Sequence, residues 1–78
     1  MKLEIISANE ISFTGEVNSV TLPGVEGSFT VLKDHAPLIS VLSKGAVKYV
    51  AADGETSHVD IAGGLVDVND NVISVCVY

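Results

Sequence analysis

Leu22-Pro23-Gly24-Val25-Glu26-Gly27-Ser28-Phe29-Thr30-Val31-Leu32-Lys33-Asp34-His35-Ala36-Pro37-Leu38-Ile39-Ser40-Val41-Leu42 gathers the irregular residues of an otherwise strand-like chain. Both prolines and one of the two histidines lie within it. Gly24 and Gly27 bracket a turn after Pro23, because residues without a Cβ take positive φ and let the chain reverse tightly. Phe29, Val31 and Leu32 then open an extended run. The polar Lys33-Asp34-His35 interrupts it, and Pro37 drives Ala36 out of helical geometry before Leu38-Ile39-Ser40-Val41-Leu42 resumes as a strand. Two loops therefore flank one short strand. Alternation along the second run places Leu38, Ser40 and Leu42 on one face and Ile39 and Val41 on the other, so only one of these sets faces inward.

The same pattern extends in both directions. Upstream, Leu3 and Ile5 share a face, Asn9-Glu10 reads as a turn, and Ile11 and Phe13 begin a run whose broken alternation predicts a bulge near Gly15. Phe13 is expected in the core. Downstream, Ser43-Lys44-Gly45 turns into Ala46-Val47-Lys48-Tyr49-Val50, with Lys48 opposite Val47 and Tyr49. Asp53-Gly54 predicts a two-residue hairpin turn with positive φ at both positions. Thr56 to Ile61 is its partner, with Val59 and Ile61 inward. Gly63-Gly64 bends the chain into Leu65-Val66-Asp67-Val68, Asn69-Asp70-Asn71 turns it, and Val72 to Val77 closes it. No stretch shows helical periodicity beyond one turn. The fold expected is all-β, a small sandwich of two mostly antiparallel sheets with about eight to ten short strands.

The 78 residues suit one domain, residues 1–78. Ten acidic residues against four basic give a net charge of −6, which repels phosphate backbones and excludes nucleic acid as a partner. The acidic excess keeps a chain that is 47% hydrophobic in solution and suits a basic partner surface. The single cysteine rules out an internal disulfide, and Val75-Cys76-Val77 suggests that Cys76 is a small buried hydrophobe. The acid at Glu4 and the lack of a long apolar run argue against a signal peptide or membrane insertion.

Enzymatic chemistry finds no foothold. Gly-x-Ser-x-Gly, the Walker phosphate loop and Cys-x-x-Cys are absent, and Gly63-Gly64 lacks the Lys-Ser/Thr and helix of a phosphate cradle. His35 and His58, with Asp34 or Asp60, are the conceivable zinc ligands, but two histidines so far apart in sequence do not make a site. No catalytic, cofactor or metal residue is assigned. Size and composition also suit a small biotinyl- or lipoyl-carrying β domain, for which Lys33 is the candidate attachment point. Against it, Leu32 precedes Lys33 and Asp34-His35 follows, where such domains show Met-Lys-Met or Asp-Lys-Ala.

Leu-Pro-Gly-x-Glu-Gly-x-Phe-x-Val-Leu-x-x-His-Ala-Pro-Leu, at Leu22 to Leu38, resembles the signature of the epsilon subunit family of the F-type ATP synthase. Phe13-Thr14-Gly15-Glu16-Val17, Lys44-Gly45 and Ala62-Gly63-Gly64-Leu65-Val66-Asp67-Val68 are similar to further segments of that family, so the resemblance covers the whole chain. It implies a non-catalytic rotor component of the central stalk, coupling proton flow to ATP synthesis. Such a subunit sits peripherally at the cytoplasmic face of the inner or plasma membrane.

By the same resemblance, Gly24, Val25, Glu26, Gly27 and Ser28 would meet the c-ring of the membrane sector, with Glu26 the principal contact. Many relatives carry an acid where this chain has Ser28, which implies a weaker electrostatic contact. His35, Ala36, Pro37, Leu38, Ser40 and Leu42 would dock on the gamma subunit, unless Leu38 and Leu42 face the core, when docking retreats to the loop. Most family members add a C-terminal helical hairpin after the sandwich. These residues do not include it, so inhibition of ATP hydrolysis and ATP binding are not expected of them.

Overall fold

A computed structural model describes residues 1–7 and 10–78. The turn expected at Asn9-Glu10 lies partly outside the described residues. Eight strands follow in order: β1 (Lys2–Ser7), β2 (Glu10–Gly24), β3 (Gly27–Leu32), β4 (Leu38–Leu42), β5 (Gly45–Ala51), β6 (Thr56–Ile61), β7 (Gly64–Asn69) and β8 (Val72–Val77). No helix among the described residues is long and apolar enough to cross a membrane. All pairings are antiparallel except β1 with β8.

The two layers of the sandwich share one strand. β2 pairs through its first half with β1 and through its second half with β3 and β5. One layer runs β2-β1-β8-β7-β4, and the other runs β3-β2-β5-β6. A straight strand of 15 residues would span roughly 50 Å, yet the longest dimension of the molecule is 27 Å. β2 must therefore curl, and two bulges let it do so. Ser12 is the extra residue between the pairs Ile5–Phe13 and Ile6–Ile11, and Asn18 between Val17–Ala51 and Ser19–Val50. These bulges flank Gly15, where the sequence suggested one. Each reverses the alternation. Phe13, Gly15 and Val17 face inward, then Val20 and Leu22, while Ile11 is turned out to solvent.

The core is one cluster fed by both layers. Leu3, Ile5, Val66, Val68, Ile73, Val75 and Leu42 come from one, and Val20, Leu22, Val31, Val47, Tyr49 and Ile61 from the other. Among the described residues no polar side chain is buried. Phe13 differs from expectation in being only partly buried. Its ring packs on Tyr49 at a centroid distance of 4.4 Å and covers the open space above Gly15. Phe13→Ala is accordingly expected to cost about 1–2 kcal/mol, below the value for a fully buried ring. Urea denaturation showing a loss above 3 kcal/mol would put the ring in the core after all.

Two turns exchange their expected characters. The Asp53-Gly54 connection has positive φ at Gly54 alone (91°), and the Gly54 N–H donates to the Ala51 carbonyl. That is a three-residue loop of Ala52, Asp53 and Gly54, with Gly54 supplying the left-handed step. The two-residue turn with both centres at positive φ lies between β7 and β8, at Asp70 (50°) and Asn71 (61°). Short polar side chains make that conformation tolerable.

Candidate functional site

β4 carries the two segments singled out from sequence at its opposite ends. At its C-terminal end, Val25 N–H donates to the Val41 carbonyl (3.1 Å) and Ser43 N–H to the Pro23 carbonyl (2.8 Å). These bonds fasten the Val25-Glu26 turn between β2 and β3 to β4. Val25, Glu26, Gly27 and Ser28 are exposed at this tip. Gly24 is not. It is buried, and a Cβ there would stand 2.7 Å from the Gly27 carbonyl oxygen and 2.9 Å from the Phe29 ring, so its part is to let the strands close.

At the other end of β4, Leu32 to His35 form a turn closed by His35 N–H donating to the Leu32 carbonyl (3.1 Å). Lys33, Asp34, His35, Ala36 and Pro37 are all exposed. The His35 ring bonds through Nδ1 to the Ala36 carbonyl (2.7 Å), which places the ring proton on Nδ1. His58 lies elsewhere, 3.8 Å from Asp60 on exposed β6, so the structure does not bring the two histidines together. Among the described residues no group of three metal-ligating side chains forms.

Leu38, Ser40 and Leu42 form the inward set. Leu42 is 1% exposed in the core, Leu38 packs against it, and Ser40 pairs with buried Val66. Leu42 is therefore unavailable for docking, and Leu38 nearly so. Sequence reasoning missed the outward set, Ile39 (74% exposed) and Val41 (50%). Ladder pairing continues Val41 to Leu65, Leu65 to Cys76, Cys76 to Ile6 and Ile6 to Ile11. This is an apolar row on the outer face of five strands, with Ile39 beside it. Cys76 is exposed within the row, opposite to expectation, because Val75 takes the inward position of β8.

The opposite outer face carries a polar row, with Thr30, Thr21, Lys48 and His58 in register and the two threonine hydroxyls 2.9 Å apart, and a single exposed leucine, Leu32, at its β3 end. Apolar residues at both parities of β4 were the sequence signal for the row. A shallow groove lined by Pro37, Leu38, Ile39, Asp67, Val68 and Asn69 runs from its edge to the His35-Pro37 loop.

An all-β body with an exposed apolar row on one outer face, and with an exposed turn at each end of β4, is what the structure presents for recognition. Residues 1–78 match the family model for the ATP synthase delta/epsilon chain, beta-sandwich domain, and the chain belongs to that family. It is 42% identical over 69 residues to the ATP synthase epsilon chain of Chlorobaculum tepidum, covering 88% of this chain and 78% of that one. The epsilon chain of Bordetella petrii is 40% identical over 75 residues, covering 96% of this chain but 53% of its own length. This chain therefore spans about half of some relatives.

Among solved structures, a cryo-EM structure of the Euglena gracilis mitochondrial ATP synthase (OSCP/F1/c-ring) contains a chain of like fold. Its TM-score is 0.89 at 26% identity, covering 96% of this chain and 48% of that one. A chain in the central stalk/c-ring of the Tetrahymena thermophila enzyme shares the fold with a TM-score of 0.80 at 17% identity, covering 97% and 61%. Membership of this family sets aside the prosthetic-group carrier considered for Lys33.

Proposed function

We propose that these residues serve as a non-catalytic rotor component of a proton-translocating F-type ATP synthase, linking the gamma subunit to the membrane c-ring. The site would lie peripherally at the cytoplasmic face of the inner or plasma membrane. The observation that carries this reading is the asymmetry of the two outer faces. An apolar row flanked by Asp67 and Ser74 has the apolar centre and polar edge of a protein interface, whereas the Thr21-Lys48-His58 face suits solvent. Ile39, Val41, Leu65 and Cys76 would pack on the gamma subunit, with His35, Ala36 and Pro37 extending the contact at one end. Val25, Glu26, Gly27 and Ser28 would reach the c-ring at the other. Glu26 acts there as an exposed acid contributing about 0–1 kcal/mol.

The test is recovery of partners with the tagged full chain. Wild type should co-purify with the gamma subunit and c-ring, and recovery without either would end this reading. Ile39→Asp should weaken gamma binding by roughly 10- to 30-fold, the loss of one well-packed interface anchor. Because Ile39 is exposed, the melting temperature should move little. Equal affinity of the variant and wild type would exclude the row from the contact.

A further inference from the structure

We infer that Asn71 is a positioning residue for the gamma-docking edge, acting through a reciprocal clasp with Asp34; this rests on the docking role proposed above. Asp34 N–H donates to Asn71 Oδ1 (2.7 Å), and Asn71 Nδ2 donates to Asp34 Oδ1 (2.9 Å). Two loops 37 residues apart in sequence are thereby joined by both ends of one side-chain amide. Asn71 is itself anchored, since Lys2 N–H at the start of β1 donates to its carbonyl (2.9 Å). The clasp thus ties the exposed turn after β3 to a point held by both β1 and the β7–β8 hairpin.

The placement of the clasp gives it a purpose beyond local order. Asp34 immediately precedes His35-Ala36-Pro37, and Asn71 sits two residues past Asn69. Pro37, just before β4, and Asn69, the last residue of the adjacent β7, line the same groove. Ladder pairing of Leu38 with Val68 and Ile39 with Asp67 already sets the strands beneath the groove, and the two hydrogen bonds hold the His35-Ala36-Pro37 segment at its end before any partner arrives. A loop ordered in advance does not lose that freedom on binding, so the clasp raises affinity without touching the partner. Both residues hold positive φ, at 63° for Asp34 and 61° for Asn71, a region that asparagine and aspartate enter more readily than other side chains. Neither residue packs in the core, and both satisfy each other where water would otherwise serve.

The chemistry of the pair supplies its own test. Asn71→Gly keeps the left-handed backbone accessible and deletes both hydrogen bonds. Exchanging the partners, Asp34→Asn with Asn71→Asp, rebuilds both: the carboxylate at 71 accepts from the residue-34 N–H and from its new amide. Asn71→Asp alone sets two carboxylates against each other. The measurements are amide exchange at Asp34 and affinity for the gamma subunit, made with the full chain.

Asn71→Gly should speed Asp34 exchange at least tenfold and weaken gamma binding about three- to tenfold. Asn71→Asp should do the same, and the exchanged pair should return both values to within about twofold of wild type. If wild type binds and Asn71→Gly binds equally well despite faster Asp34 exchange, the positioning role is overturned while the docking role stands. Failure of the exchanged pair to recover affinity also overturns it. Wild type that does not bind the gamma subunit removes the docking role, and this inference with it.

Discussion

Gly64→Ala is expected to destabilise the domain by about 3 kcal/mol, the upper range for forcing atoms into a filled site. Gly64 pairs with Leu42 on one side and Val77 on the other, at the start of β7. A Cβ built on it runs into the Cys76 carbonyl oxygen and stands 3.0 Å from Val77 Cα. Both obstacles are backbone, so no rotamer change relieves them. The ladder between β7 and β8 has to open at this end. For a domain of this size, that loss lowers the melting temperature by roughly 12–24 °C.

Gly54→Ala is the control. Nothing lies within 4 Å of a Cβ there, and only the positive φ of 91° opposes it, at about 1 kcal/mol. Thermal melts should rank Gly64→Ala far below Gly54→Ala. A Gly64→Ala melt within about 4 °C of wild type would show that β7 and β8 are not this close.

Leu22→Ala should cost about 2–5 kcal/mol, the range for a leucine deleted from a packed interior. Leu22 is fully buried in the second half of β2, paired with Phe29, at the junction that both layers share. Its cavity would be lined by residues of two layers held in place by their own ladders, which limits collapse. Total stability in a small domain stands near the low end of about 5–15 kcal/mol, so this variant should be partly unfolded at 37 °C. Leu65→Ala, the same chemical change on the outer face, should shift stability by under about 0.5 kcal/mol. Urea titrations giving equal losses for the two leucines would mean that Leu65 belongs to the interior and that the outer row does not exist.

What the sequence reveals here follows from how local each feature is. The inward pairs Leu3 with Ile5 and Val59 with Ile61, and the outward Lys48, are readable because alternation within one strand depends on nothing else. The all-β class follows from the same periodicity. The length and path of β2 are not readable this way. Its two bulges depend on registers with β1 and β5, far away in sequence, so Ile11 and Phe13 look like one face and are not.

The turns mislead for a related reason. Asp53-Gly54 carries the sequence of a two-residue turn, but the Ala51–Glu55 pairing leaves three residues to close it. Asp70-Asn71 takes the tighter form without glycine. At the candidate site, the exposed loops at Val25–Ser28 and Lys33–Pro37 were visible from their glycines, proline and charges. Which face of β4 is outward was not. Apolar residues occupy both parities, and the side that meets the core is settled only by the register with β7, which sets Leu38 and Ser40 opposite the buried Val68 and Val66.

The strand shared by both layers also has a mechanical consequence. A pull on the Val25-Glu26 tip draws β2 and β3, which that turn joins, in one direction, and the ladder from β2 to β5 lies lengthwise to the load. Bonds arranged in that way must yield together, whereas bonds at a peeled edge yield one by one. The domain should therefore resist traction from this tip far better than traction that strips β6 from β5, and the stiff direction is the one that joins its two exposed ends.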